Sequence, residues 1–420
     1  MAVNHSPGVF NDHEIILNNN NFSKLFFNAF VMRILLISLL LWPLGLVSGQ
    51  NYDFSNVPGT VIAHIPSVEQ TFLGTPSICV LPDGRYVASH GIFGEKQNEV
   101  SIYWSDDKGK NWDKVSQVKG FWSGLFWHQG ALYLMGTDGR YGDIIIRRSQ
   151  DKGKTWTNPK DKNSGVIRQH TVEKGYHTSA VSLVEANGRI YRPFEVARRS
   201  WEWGNFEALV LSAPVDADLL KAKNWKTTTR MAVDTCWGKQ YNTWLEGGAV
   251  LSPEGHVLNV LRVNNREEET AAIMHVSDDG KKLSFNPETG FIKFPGGCKR
   301  FVIRYDEESG RYWTLTNWIP EEYKGHNIER TRNTLALASS DDLKDWEINE
   351  IVLQDDNIQK SGFQYVDWQI EGEDLVFVSR TAFFDGVGYA DSQHNSNFIT
   401  FHRIPDFRGK ADHVIETIQN

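Results

Sequence analysis

From residue 60 onward, short alternations of apolar and polar residues dominate the chain, and they come in pairs. In PSICVLPDGRYVASH (76–90) two such runs flank Asp83-Gly84. Period-two alternation is the pattern of a half-buried strand, and a tight Gly-containing turn between two such runs makes a hairpin. The same unit recurs as GLFWHQGALYLMG (124–136), SAVSLVEANGRIYRPFE (179–195), GAVLSPEGHVLNVLRV (248–263), FVIRYDEESGRYWTLTN (301–317) and VDWQIEGEDLVFVSRT (366–381). The turn glycines, from Gly84 to Gly372, lie about 58 residues apart on average, somewhat above the spacing of the common propeller repeats.

Most hairpins are followed by a third strand and a further turn. Two of those turns share one spacing, SDDKGKNW (105–112) and SQDKGKTW (149–156), with degenerate copies in VSDDGKKLSF (276–285) and SSDDLKDW (339–346). Aspartate and glycine suit a tight turn, and Trp112 and Trp156 read as packing residues. The motif resembles the Asp box of sialidase-like propellers, which concerns fold and not chemistry. The expected fold is therefore all-β: a six-bladed β-propeller of four-stranded blades, with seven blades as the alternative if one copy is too degenerate to read. The last blade, ending in NFITFHRI (397–404), is one strand short, and TVIAHIP (60–66) is the expected strand that closes the ring.

The N-terminus departs from this pattern. Residues 1–31 are polar and Asn-rich, and read as a gene-model extension or a disordered stretch ahead of Met32. Residues 32–49, MRILLISLLLWPLGLVSG, have the basic start, apolar run and small residues of a secretory signal, with an uncleaved anchor as the alternative. The expectation is one propeller domain over residues 50–420, secreted or periplasmic, monomeric, with no membrane in the mature form. The 15 tryptophans exceed ordinary usage, and a formal net charge of −8 argues against a general nucleic-acid binder. Cys79, Cys236 and Cys298 are too few and too widely spaced for a disulfide framework or a zinc site. They read as core thiols, with one disulfide as the alternative; no metal and no cofactor are expected.

In a propeller, the residues just before each first strand and just after each second strand gather at one face. Here those positions are rich in arginine, histidine and aromatic residues. Arginine forks suit carboxylate or sulfate, and aromatic rings suit sugar faces. From them we take His90, His177 and Tyr241 as proton-transfer candidates. Arg198, Trp244, Glu246, Arg262, Arg300, Tyr365 and Arg380 are the substrate-binding candidates. His128, beside the FWHQG turn, reads as structural.

Over residues 60–405 the chain resembles the sialidase-like propellers. In WLEGGAV (244–250), Glu246 matches the family's glutamate; Arg262 matches its second arginine, Arg300 or Arg304 its third, and Tyr365 its tyrosine. Two parts differ: the first-blade Arg-Ile-Pro signature is replaced by FLGTPSI (72–78), and His90 stands where the acid aspartate is expected. PSICVLPDGRYVASH, GYHTSAV, SAPVDADLL, WLEGGAV, FPGGCKRFVIRYD and GFQYVDWQ resemble propeller proteins of polysaccharide-utilising bacteria. That resemblance extends to enzymes that β-eliminate ulvan and rhamnose–glucuronate sugars with His and Tyr. It implies a lyase or dehydratase that acts on a terminal uronate of an anionic, sulfated rhamnose–uronate oligosaccharide and leaves a 4,5-unsaturated uronate. The alternatives are an exo-acting sialidase-like glycoside hydrolase and a non-catalytic sugar-binding propeller.

Overall fold

The computed structural model describes residues 52–94, 98–197, 204–238, 240–241 and 243–420. The expected signal at 32–49 and the candidate Arg198 lie outside the described residues. Tyr52–Asn420 forms one compact unit, built of six sheets with four or five strands each.

Every hairpin read from the sequence is present. Blade one runs Thr71–Val80, Tyr86–Gly94, Glu99–Ser105 and Asp113–Lys119. Blade two runs Phe121–His128, Ala131–Thr137, Ile144–Ser149 and Val166–Arg168. Blade three begins differently: Gly175–His177 and Val184–Ala186 both pair with Arg189–Ala197, ahead of Phe206–Pro214 and Lys226–Thr227. Blades four, five and six open with Trp244–Leu251, Val302–Asp306 and Gly362–Glu371.

Blade six holds three strands of its own and takes its fourth from the N-terminus: Thr60–His64 pairs antiparallel with Phe398–Ile404. The N-terminal strand thus covers the edge that Phe398–Ile404 would otherwise leave open and becomes the short outer strand of the blade. Ile62, Leu73, Ile78, Tyr86, Val376, Val378, Ile399 and Phe401 form one buried cluster across the junction of blades six and one.

The Asp-box turns show why their residue types recur. Ser105 Oγ accepts from the Gly109 amide at 2.8 Å, Asp107 accepts from the Asn111 amide at 2.9 Å, and Trp112 Nε1 donates to the Gly109 carbonyl at 3.1 Å. Ser149, Asp151, Gly153 and Trp156 repeat the arrangement. Gly109 has φ of +87° and lies against Phe401, where a Cβ would stand 2.0 Å from the ring. The degenerate copy in blade five keeps the left-handed turn with Leu343 at φ +69°. Cys79 and Cys298 are buried as expected; Cys236 is exposed, so it is not a core thiol, and all three are free.

Candidate active site

Four first strands carry the same irregularity at the same place. The register of the first hairpin slips between Gly74 and Ser77 in blade one, Phe121 and Gly124 in blade two, Leu245 and Gly248 in blade four, and Gln364 and Asp367 in blade six. Within each slip, one non-glycine residue has a left-handed backbone: Thr75 at φ +51°, Trp122 at +46°, Glu246 at +52° and Tyr365 at +53°. A bulge re-aims a side chain that a regular strand would lay on a sheet face, and strained φ values gather at functional sites. All four residues line one cavity of about 450 Å³. His177 and Arg380 also line it, with His394, Asn395 and Arg140, and apolar wall comes from Phe72, Ile92, Phe93 and Phe121.

The charged groups are tightly held. Glu246 Oε2 lies 3.0 Å from Arg262 Nη1, both side chains 3% exposed. Arg262 also donates to the Cys298 carbonyl at 2.7 Å. Burial works against its charge, but Glu246 and Tyr365 outweigh burial and hold its pKa above the ordinary arginine value. Tyr365 sits between guanidiniums: Arg380 lies 4.7 Å and Arg332 5.8 Å from its ring centroid. Burial lowers the Arg380 pKa to about 10, so it stays charged at neutral pH. His394 is a hydrogen-bond neighbour of Arg380 and Asn395. Burial and then the charges of Arg380 and Arg332 hold its pKa well below the ordinary imidazole value, which keeps it neutral.

His177 ends the short first strand of blade three. Its Nδ1 lies 2.8 Å from Glu195 Oε2, and the second oxygen, Oε1, accepts from the Gly247 amide at 3.0 Å. Trp122 packs edge-on at 4.4 Å and Phe206 stacks at 4.9 Å, so the ring is clamped.

The structure thus brings His177, Glu246, Tyr365 and Arg380 to one cavity, with Arg262 behind Glu246. Arg300 is buried and does not line the cavity; it donates to the Val366 carbonyl, and among the described residues its Nε and Nη2 have no hydrogen-bond partner. Three readings are corrected. His90 is not a cavity residue: it is buried on the blade, Nδ1 on the Gly91 carbonyl and Nε2 3.2 Å from the Tyr103 hydroxyl. Tyr241 stacks on Phe291 with ring centroids 4.0 Å apart, so its ring is committed to packing. Trp244 is fully buried against Trp237, Phe285 and Phe291 and presents no face to a sugar. Glu195, His394 and Arg332 were missed. Glu195 did leave a signal, a lone carboxylate inside the apolar run of its strand. His128 has both ring nitrogens engaged, by Glu185 and by the Val215 carbonyl, and does not line the cavity. Among the described residues no group of three His, Cys, Asp or Glu is placed to hold a metal.

Comparison with known proteins bears on the fold. No family model matches the chain, and no curated protein matches it. Solved structures do. An α-L-arabinanase of Penicillium chrysogenum, complexed with arabinobiose, superposes with a TM-score of 0.52 at 15% identity, covering 83% of this chain and 98% of its own. The α-L-arabinofuranosidase Arb93A of Fusarium graminearum gives 0.55 at 12% identity, over 83% and 97%. A Trypanosoma rangeli sialidase complexed with sialic acid gives 0.52 at 16% identity, over 81% and 55%. The fold is a sialidase-like six-bladed propeller. At these identities the likeness concerns architecture, and the neighbours named are carbohydrate-active enzymes.

Proposed function

We propose that the cavity catalyses β-elimination on an anionic sugar, a uronate at the end of a sulfated rhamnose–uronate oligosaccharide. The observation that carries this reading is the His177–Glu195 pair at the wall of a cavity that also holds Tyr365 beside two guanidiniums. Arg380 neutralises the substrate carboxylate, which makes the C5 proton acidic. His177 Nε2 takes that proton. The C5–H electron pair becomes the C4=C5 π bond, the C4–O bond breaks, and its pair goes to the departing oxygen, which Tyr365 protonates. If the C4 substituent is a sugar, the chain is cleaved; if it is hydroxyl, water leaves. Each proton transfer contributes on the order of 10²–10⁴ in rate.

The acid–base supply of the cavity supports this over hydrolysis by a pair of carboxylates. Two-carboxylate glycosidases need a pair of acidic residues flanking the bond. Among the described lining residues Glu246 is the one carboxylate, and it is paired with Arg262. A second reading, hydrolysis with Tyr365 as nucleophile, is favoured by the arginines around that ring. Mass spectrometry of saturated rhamnose–uronate oligosaccharides after incubation separates them. Loss of one water, or cleavage into an unsaturated fragment, supports elimination; cleavage with gain of water and no unsaturation overturns it. From the apolar run at 34–47 we also propose that the protein acts outside the cytoplasm.

A further inference from the structure

We infer that Glu195 is a positioning residue: it fixes which nitrogen of His177 is basic and, from the same carboxylate, pins the backbone bulge that aims Glu246. This rests on the reading of the cavity as a catalytic site. Glu195 has 0% exposure, and each of its oxygens has a separate task. One faces His177 Nδ1 at 2.8 Å and the other accepts from the Gly247 amide at 3.0 Å. His177 and Glu195 are directly opposed across neighbouring strands of blade three, which fixes their approach. Gly247 belongs to blade four and directly follows Glu246, inside the slip between Leu245 and Gly248. One buried carboxylate therefore ties two cavity groups from two blades.

The tautomer follows from donor and acceptor counting. An ionised carboxylate only accepts, so Nδ1 carries the ring proton and Nε2 is the basic nitrogen. A glutamine at 195 cannot reproduce this. The Gly247 N–H still demands an acceptor, so the amide oxygen must face it. The amide NH₂ then faces Nδ1, which must become the acceptor, and the ring proton moves to Nε2. A group that only filled space or bridged blades would tolerate this nearly isosteric change, whereas a tautomer-setting group would not.

The experiment is nitrogen-15 NMR of the histidine ring in the full chain, with His177→Ala to assign the signal, alongside kinetics of Glu195→Gln. Wild type is expected to show His177 protonated at Nδ1 only, and Glu195→Gln at Nε2 only. Glu195→Gln is expected to lower kcat about 10²–10⁴-fold with KM little changed, and to cost nothing further in a His177→Ala background. An unchanged tautomer in Glu195→Gln, or both nitrogens protonated in wild type, overturns the inference. So does an equal activity loss when His177 is already alanine. Wild type inactive on uronates but with the expected tautomer switch would sink the proposed reaction and leave the tautomer assignment standing.

Discussion

His90 tests the separation of structural from catalytic histidines. It is 3% exposed. Burial is the main cause that lowers its pKa from 6.5 to about 4; the Gly91 carbonyl opposes this and Lys114 adds to it. A histidine whose folded pKa is depressed favours the folded state fully above the unfolded value. That contribution is lost as pH falls from 6.5 toward 4, because the unfolded chain binds a proton that the native state refuses. At about 1.36 kcal/mol per unit, the contribution at neutral pH is about 3 kcal/mol, of which about 2 is lost by pH 5. The perturbation is His90→Gln, which keeps polar atoms beside Tyr103 and removes the titration. Urea unfolding of wild type and variant at about pH 7.5 and pH 5 isolates the term, since His64, His394 and His402 are common to both. Wild type should lose about 2 kcal/mol more than the variant on acidification, while turnover at neutral pH stays within the wild-type range. Equal acid sensitivity would refute the buried, neutral assignment. Loss of turnover in a well-folded variant would return His90 to the catalytic set.

The Glu246–Arg262 pair predicts an asymmetry: Glu246→Ala, which leaves the buried guanidinium only the longer 3.6 Å ion pair with Glu329, should cost about 3 kcal/mol in urea unfolding, whereas Glu246→Leu with Arg262→Met should recover more than half of it. Gly247→Ala would place a Cβ 2.3 Å from Asn259 Oδ1; we expect about 1–3 kcal/mol of lost stability, reduced when Asn259→Ala is added. Ile62 is 8% exposed at the seam of the ring, so Ile62→Asp should lower the urea midpoint and speed proteolytic loss of the N-terminal strand.

Six hairpins were readable because period-two alternation and turn glycines are local signals, and the incomplete sixth blade pointed to its closing strand before any coordinates. The face that carries the cavity was readable as well, because the starts of inner strands converge there. Side-chain direction within those starts was not. Trp244 and Glu246 lie two residues apart, yet the bulge sends only Glu246 to the cavity. No glycine marks the left-handed position in any of the four bulges, so the sequence offered no signal for them. His90 failed for a related reason: the cavity wall begins one residue later, at Gly91, and the His90 ring is turned to the Tyr103 hydroxyl on its own blade. His394 lies in the loop DSQHNSN (391–397), with no periodicity from which to place it.

The most direct measurement is the ultraviolet time course of wild type and His177→Ala on a saturated rhamnose–uronate oligosaccharide. A new conjugated C4=C5 uronate absorbs where the substrate does not. The account predicts a steady absorbance rise with wild type and a rate lower by about 10²–10⁴ in the variant. Release of a sugar by wild type without any absorbance rise, or a rise that His177→Ala leaves unchanged, would contradict it.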